Sequence, residues 1–326
     1  MRGNKLVKYI DIIFGIPLLI FFSLFKIFKI KKDIDKINKI LLIKLSALGD
    51  TILLIPVIRT LKENYPDSKI SMVVTEINKS IAERCDYIDN IFDFKPEKFI
   101  KSPLKLLKFI KKIRNEKFDL VIDADQWLRI SAILSFLSGA KKRIGFKTKG
   151  QFKHFSFTDI VLHKRYQHEI ECFFDLIKPL KLQIKNKSLE FNINEDKIKE
   201  AENLLKSIGI NNEKFIIIHP EVPKHGFQRQ WPSENFVKLI EEILRRYNIK
   251  ILITGTKRTS YFVNLFSNEI KENIKFVFDT EIGLLSAIIS KSLLIVCNNT
   301  GIMHLACAVG IPVIALHGPT DPIKWG

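Results

Sequence analysis

Residues 39–45 read KILLIKL and residues 51–64 read TILLIPVIRTLKEN, so an unbroken apolar run leads through a short S-A-L-G-D connection into apolar residues at helical spacing. A short apolar run without polar alternation is a strand covered on both faces, and a strand feeding an amphipathic helix opens a parallel βα unit. The alternation continues outward. KISMVV at residues 69–74, NIFDF at 90–94 and DLVIDA at 119–124 predict strands, with helical periodicity over 104–114 and 128–137. After a polar stretch at 181–196 a second series follows: FIIIHP, KILITG, KFVFD, LLIVCNN and PVIALHG predict strands, with helices over 233–246 and 301–309. The expected class is α/β, with two Rossmann-like, doubly wound parallel-sheet domains facing a cleft behind an N-terminal apolar helix. The expected divisions are 1–36 for the apolar segment, 37–182 for the first domain and 183–326 for the second.

Composition bounds what such a chain binds. The 326 residues are 46% hydrophobic and 27% charged, ordinary globular proportions with room for two cores. Fifty-three Lys and Arg against 35 Asp and Glu give a net charge of +18, which favours anionic partners, although Lys and Ile are used heavily throughout. No aromatic and basic interleaving accompanies the charge, so nucleic acid is not an expected partner. Cys85, Cys172, Cys297 and Cys307 form no C-x-x-C pair, which argues against a zinc site, an iron–sulfur site or a disulfide framework and fits a reducing cytoplasm. No two glycines are separated by a single residue, which excludes the dinucleotide fingerprint G-x-G-x-x-G. Gly145 and Gly150 have phosphate-loop spacing, but Gln151 stands where the lysine must be.

The amino terminus is membrane-like. Residues 12–25, IIFGIPLLIFFSLF, carry no charge and are flanked by Lys5 and Lys8 before and by Lys26, Lys29, Lys31 and Lys32 after. A span needs about 20 apolar residues, reached only over 9–28 and only if Asp11 and Lys26 extend toward the headgroups. No small-residue cleavage site follows, so the segment is expected to be retained. Three states remain open: a short signal anchor, a helix lying in the membrane interface, or a buried helix of the globular body.

Three segments carry candidate chemistry. In LLIVCNNTGIMHLACA, residues 293–308, a buried strand runs through Asn298, Asn299, Thr300 and Gly301 into a helix. Such a junction seats a diphosphate, because a helix amino terminus offers unpaired amides and partial positive charge. His304, one turn on, faces back over that terminus; the structural alternative is a capped helix over a satisfied histidine. The loop HGPTDP at 317–322 is expected beside it, or is simply a tight turn. In SALGD, Asp50 is a candidate general base at the start of the following helix, with an N-cap as the alternative. The loop HPEVPKHGFQRQWP brings Lys224, His225, Arg229 and Trp231 between strand and helix; Arg229 can clamp a phosphate, and Trp231 is expected to be structural.

Together, S-A-L-G-D near the first strand, an H-P loop ending in W-P, N-x-T-G-x-M-H-L-A and G-P-T-D-P resemble glycosyltransferase family 9, the lipopolysaccharide heptosyltransferases. The resemblance covers residues 39–326 and includes DLVIDADQWLRISAILSFLSGAKKRIGF. It implies a GT-B architecture, with an acceptor-side first domain and a donor-binding second domain. It also implies metal-independent, inverting transfer from ADP-heptose to the lipid A and Kdo inner core, with no cofactor. Asp50 matches the family's catalytic base, and Thr300, Gly301 and His304 match its donor diphosphate site. Arg229 stands where lysine is usual, Asn299 where aspartate is common, and Glu221 where glycine follows H-P. Lys141, Lys142 and Arg143 are candidates for meeting acceptor phosphates, against the alternative of a solvated face. The implied partners are a nucleotide-diphosphate sugar, a lipid-linked saccharide and a membrane surface, at the cytoplasmic face of a bacterial inner membrane. Relatives continue beyond Gly326, so a truncated carboxyl end is expected. Two other readings stay open: a nucleotide-sugar epimerase of the same architecture, and an inactive membrane-tethered scaffold.

Overall fold

A computed structural model describes residues 5–24, 36–211 and 213–326. Residues 25–28 of the apolar segment, and Lys26, Lys29, Lys31 and Lys32, lie outside the described residues. Two compact units divide between Lys187 and Ser188.

The first unit runs α1 (Lys5–Ile13), α2 (Gly15–Leu24), β1 (Lys39–Ile43), α3 (Leu48–Asn64), β2 (Lys69–Val74), α4 (Glu76–Ala82), β3 (Asn90–Asp93), α5 (Pro96–Lys101), α6 (Pro103–Asn115), β4 (Leu120–Asp123), α7 (Arg129–Leu137), β5 (Lys142–Lys147), β6 (Asp159–Leu162) and α8 (Glu169–Ile177). Its sheet has the order β3-β2-β1-β4-β5-β6, with every pairing parallel. The chain winds outward from β1 to β3, then returns to lay β4 on the other side of β1. That reversal opens a crevice at the carboxyl ends of β1 and β4, where parallel α/β sheets bind ligands. Leu41, Ile43, Val73 and Val121 fill one layer of core beside Phe92, Phe94 and Phe118.

The second unit runs α9 (Glu195–Ser207), β7 (Phe215–His219), α10 (Ser233–Arg246), β8 (Lys250–Gly255), α11 (Asn268–Lys271), β9 (Ile274–Phe278), α12 (Ile282–Ser290), β10 (Ile295–Asn298), α13 (Gly301–Ala308), β11 (Val313–Leu316) and α14 (Pro322–Trp325). Its parallel sheet, β11-β10-β7-β8-β9, reverses in the same way and puts its switch point between β7 and β10.

Some elements escape sequence reading. β5 is KRIGFK, with Lys and Arg at its start, and β6 is only four residues of half-exposed alternation. Gly145 is a packing glycine in β5, since a Cβ there would lie 2.3 Å from the Phe157 ring, and Gly150 turns the chain at φ +75°. Neither belongs to a phosphate loop.

The apolar segment packs on the first unit with one face. Phe14 N–H donates to Ile10 O (3.0 Å) and Leu18 N–H to Phe14 O (3.3 Å), so the α-helical ladder runs through the break between α1 and α2. Leu19 and Phe22 are buried with Ala132, Ile133 and Phe157, and the Phe22 and Phe136 rings stack with centroids 4.0 Å apart. Asp11 does not extend toward headgroups. Its carboxylate accepts from the amides of Arg129 (3.1 Å) and Ile130 (2.9 Å) and pairs with the Arg129 guanidinium at 3.3 Å. The N-cap residue of α7, Leu128, has no capping side chain, so Asp11 caps that helix from 118 residues away.

Candidate active site

At the switch point of the first unit, Asp50 is the third residue of α3, whose N-cap is Ala47. The alternative reading, that it is the N-cap of its own helix, is therefore not met. Its buried carboxylate meets Lys44 Nζ at 3.0 Å. Lys44 is fully buried, donates to Gln126 Oε1 at 2.7 Å and lies 5.4 Å from the Phe173 ring centroid. Gln126 donates in turn to Glu169, which lies 3.5 Å from His163 Nε2. A lysine without solvent is tolerated only when anionic and carbonyl oxygens replace its water, and this chain of side chains supplies them.

A second buried pair lies beside it. Lys153 and Asp123 are 3.2 Å apart with neither side chain exposed, and Lys153 also donates to the Asp125 carbonyl. Burial pushes the Asp123 carboxyl up to about 6 despite Lys153 and the Ser131 hydroxyl bonded to it. Burial would likewise raise Asp125. Lys44, Lys153 and the amides of Leu128 (2.8 Å) and Trp127 (3.0 Å) outweigh it and hold Asp125 below the usual carboxylate range. These groups close the carboxyl ends of β1 and β4 with two buried lysines set among buried carboxylates.

His163, Glu169 and Cys172 place one ligand atom each within 4.8 Å of one another. Glu169 is held by Gln126, and the Cys172 thiol donates to the Lys164 (3.4 Å) and Gln167 (3.8 Å) carbonyls, so these groups have protein partners.

At the switch point of the second unit, Thr300 is the N-cap residue of α13 by position, yet its hydroxyl makes no capping bond. Thr300 Oγ1 is buried and has no hydrogen-bond partner among the described residues. The Asn299 side chain does not cap α13 either. It binds the 317–322 loop, with Nδ2 2.9 Å from both His317 Nδ1 and Thr320 Oγ1. Arg229 Nη1 donates to Asn299 O at 2.9 Å, which fixes the guanidinium at the start of α13. Two glycines permit this approach: a Cβ on Gly226 would lie 2.4 Å from Arg229 Nη2, and Gly318, at φ +55°, passes close to the Arg229 backbone. His304 is buried one turn along α13, its ring centroid 6.5 Å from that of Trp325.

The surrounding residues hold this corner rigid. Asn298 accepts from the Trp231 amide (2.9 Å) and donates to Pro220 O (2.7 Å), and Trp231 packs edge-on against Phe236, as its structural reading requires. His219 Nδ1 is 2.9 Å from Thr254 Oγ1, and burial pushes its pKa down to about 4 against the pull of Glu221. For Glu221 burial acts upward, but the Thr259 hydroxyl, the Thr256 amide, Arg258 and the Thr256 hydroxyl dominate and bring it down to about 2. Glu221 thus ties the loop after β7 to the turn after β8.

The structure brings Arg229, Asn299, Thr300, Gly301 and His304 together around the start of α13. It does not bring Lys141, Lys142 and Arg143 to Asp50. Lys142 pairs with Leu120 at the amino ends of the strands, the opposite edge of the sheet. Arg143 is buried, donates to Ser156 O (2.8 Å) and Ala140 O (2.5 Å) and lies over the Phe136 ring, so of the three only Lys141 is exposed and Arg143 adds nothing to a basic surface. Sequence reasoning missed Lys44, Gln126, Glu169 and Lys153. Only Lys44 left a signal, as the single charge at the end of an otherwise buried strand.

Comparison with known proteins gives a consistent result. A family model described as glycosyltransferase family 9 (heptosyltransferase) matches residues 106–326. The chain is 27% identical over 288 residues to lipopolysaccharide heptosyltransferase 3 of Escherichia coli strain K12, covering 85% of this chain and 81% of that protein. The crystal structure of a family 9 glycosyl transferase from Veillonella parvula superposes with a TM-score of 0.77 at 21% identity, over 90% of this chain and 86% of that one. The E. coli heptosyltransferase WaaC with ADP-2-deoxy-2-fluoro heptose superposes at 0.70 and 19% identity, over 87% of this chain and 90% of that one.

Proposed function

The chain belongs to glycosyltransferase family 9, the heptosyltransferases, and from that premise we propose that it moves a heptose from ADP-heptose to a lipid-linked lipopolysaccharide core saccharide, with inversion and without a metal. The observation that carries this reading is the buried, unpartnered Thr300 hydroxyl at the start of α13, beside the anchored Arg229 guanidinium. An unmet buried donor costs about 1–3 kcal/mol, and it is met when a ligand oxygen arrives. The amides of a helix's first turn and a guanidinium are both suited to a diphosphate. Support for ADP-heptose comes from the solved relative that carries its 2-deoxy-2-fluoro analogue.

In this reaction Asp50 takes the proton from the acceptor hydroxyl. The hydroxyl oxygen bonds to the anomeric carbon on the face opposite the nucleotide, and the bond from that carbon to the phosphate oxygen breaks. Charge then accumulates on the departing nucleoside diphosphate. The amino end of α13, Thr300, Arg229 and His304 receive it, so their stabilisation grows along the reaction coordinate. Asn299 acts one step back, by holding the 317–322 loop against α13. Lys44 fixes the orientation of the Asp50 carboxylate.

The test is transfer by the full chain from ADP-heptose and from other sugar nucleotides to core-truncated lipopolysaccharides, before and after exhaustive chelation. ADP-heptose should give a product with inverted anomeric configuration at a rate the chelator leaves unchanged. Absence of transfer from every nucleotide diphosphate sugar sinks the reading, and transfer only from another donor reassigns the sugar.

A further inference from the structure

α2, GIPLLIFFSL, is apolar around its whole circumference, yet among the described residues only Gly15, Leu19 and Phe22 on one side of it are buried. Gly15, Leu19 and Phe22 lie against the first unit, Gly15 so closely that a Cβ would meet Arg129 Cβ at 2.9 Å. On the opposite side Ile13, Phe14, Pro17, Ile20, Phe21 and Leu24 recur at intervals of three and four residues, and all are exposed. Phe14 is 68%, Leu24 56% and Phe21 52% accessible. Tyr9, 60% accessible, continues the stripe one turn earlier with an amphipathic side chain. A helix apolar on all sides is stable where both sides are out of water, and an apolar row of this length on a soluble body marks a contact surface.

We propose that this stripe is a membrane-docking surface that seats in the boundary between headgroups and acyl chains of an anionic phospholipid leaflet, the helix lying in the plane. Among the described residues no helix is long and apolar enough to cross a membrane. The buried Asp11–Arg129 pair fastens the helix to α7, so the stripe is presented from the folded body. Charge selects lipid over a second copy. Exposed Lys147 and Lys149 precede Gly150, whose carbonyl accepts from Arg129 beside the helix, and the whole chain is +18. Two such chains repel one another, whereas an anionic leaflet attracts basic groups beside an apolar insert. The use of the surface rests on the proposed lipid-linked acceptor, but docking itself needs neither donor nor acceptor.

The experiment is cosedimentation of the full chain with phosphatidylcholine vesicles, and with vesicles containing phosphatidylglycerol, for the parent and for Phe14→Ser/Phe21→Ser. The parent should bind the anionic vesicles and the double variant should lose at least about tenfold in partitioning at an unchanged thermal midpoint, since both rings are already exposed. Equal binding by parent and variant overturns the proposal, as does a parent that binds neither vesicle. A parent that self-associates through these residues without lipid overturns it in favour of a second copy. Because no sugar nucleotide is present, failure here leaves the transferase reading to its own assay.

Discussion

Lys44 Nζ and Asp50 Oδ2 lie 3.0 Å apart with the lysine wholly buried, so the residue assigned as base is held by a cation that has no solvent of its own. Asp50→Asn keeps a group that can face Lys44 but cannot take a proton. Transfer should fall by about two to four orders of magnitude with donor binding unchanged, as read by turnover and by donor titration. Lys44→Met should instead destabilise the first unit by about 3–5 kcal/mol in denaturant unfolding, because it removes the buried cation that meets Asp50 and Gln126. Adding Asp50→Asn to Lys44→Met should recover part of that loss. Additive losses would show that the two groups are not energetically coupled.

Thr300 separates binding from folding. Its hydroxyl has no partner among the described residues, so Thr300→Val should leave the thermal midpoint the same or higher while weakening nucleoside diphosphate binding by roughly tenfold. Calorimetric titration with ADP, run beside thermal melts, reads both. A lower midpoint with unchanged affinity would mean that the hydroxyl serves the helix instead of a ligand.

These two sites differ in how much of them was legible in the sequence. The junction from β10 to α13 could be read because one segment carries all its parts: strand, cap position, glycine and helix. Arg229 was expected to meet a phosphate from its place in the loop, but its hold on the Asn299 carbonyl 70 residues away could not be read. The Lys44 network could not be read, because its members come from the residue after β1, from α3, from the loop after β4 and from α8, and a lysine in sequence counts as surface charge. The strands with continuous apolar runs were plain. β5 was hidden because its amino end holds Arg143, whose burial depends on carbonyls of the 140–156 segment that only the fold assembles.

Asp11 was legible as an anomaly, a carboxylate inside a membrane-like run, though its partner was not. Because it satisfies two amides at the start of α7 and a guanidinium that is 8% exposed, Asp11→Ala should cost about 3–5 kcal/mol of stability in the first unit. It should also speed proteolysis within residues 5–24. Digestion at the parental rate with an unchanged unfolding midpoint would show that Leu19 and Phe22 alone hold the helix down.

Asp123 and His219 should make the two units respond with opposite sign to one pH window. Asp123 titrates at about 6 in the fold against about 3.8 when free, so its folded form binds the proton more tightly. Its contribution is fully present below the free value and is lost as pH rises through about 6, on the order of 3 kcal/mol in all. His219 titrates at about 4 against 6.5 when free, so the unfolded chain takes up the proton first. Its contribution is present above 6.5 and is lost as pH falls toward 4. Asp123→Asn should therefore flatten the decline of first-unit stability from pH 4 to 6, and His219→Gln should flatten the rise of second-unit stability from pH 4 to 6.5. Unfolding midpoints measured at half-unit pH steps for each variant against the parent check both signs, and parallel pH profiles for parent and variant would show that neither group titrates where its burial puts it.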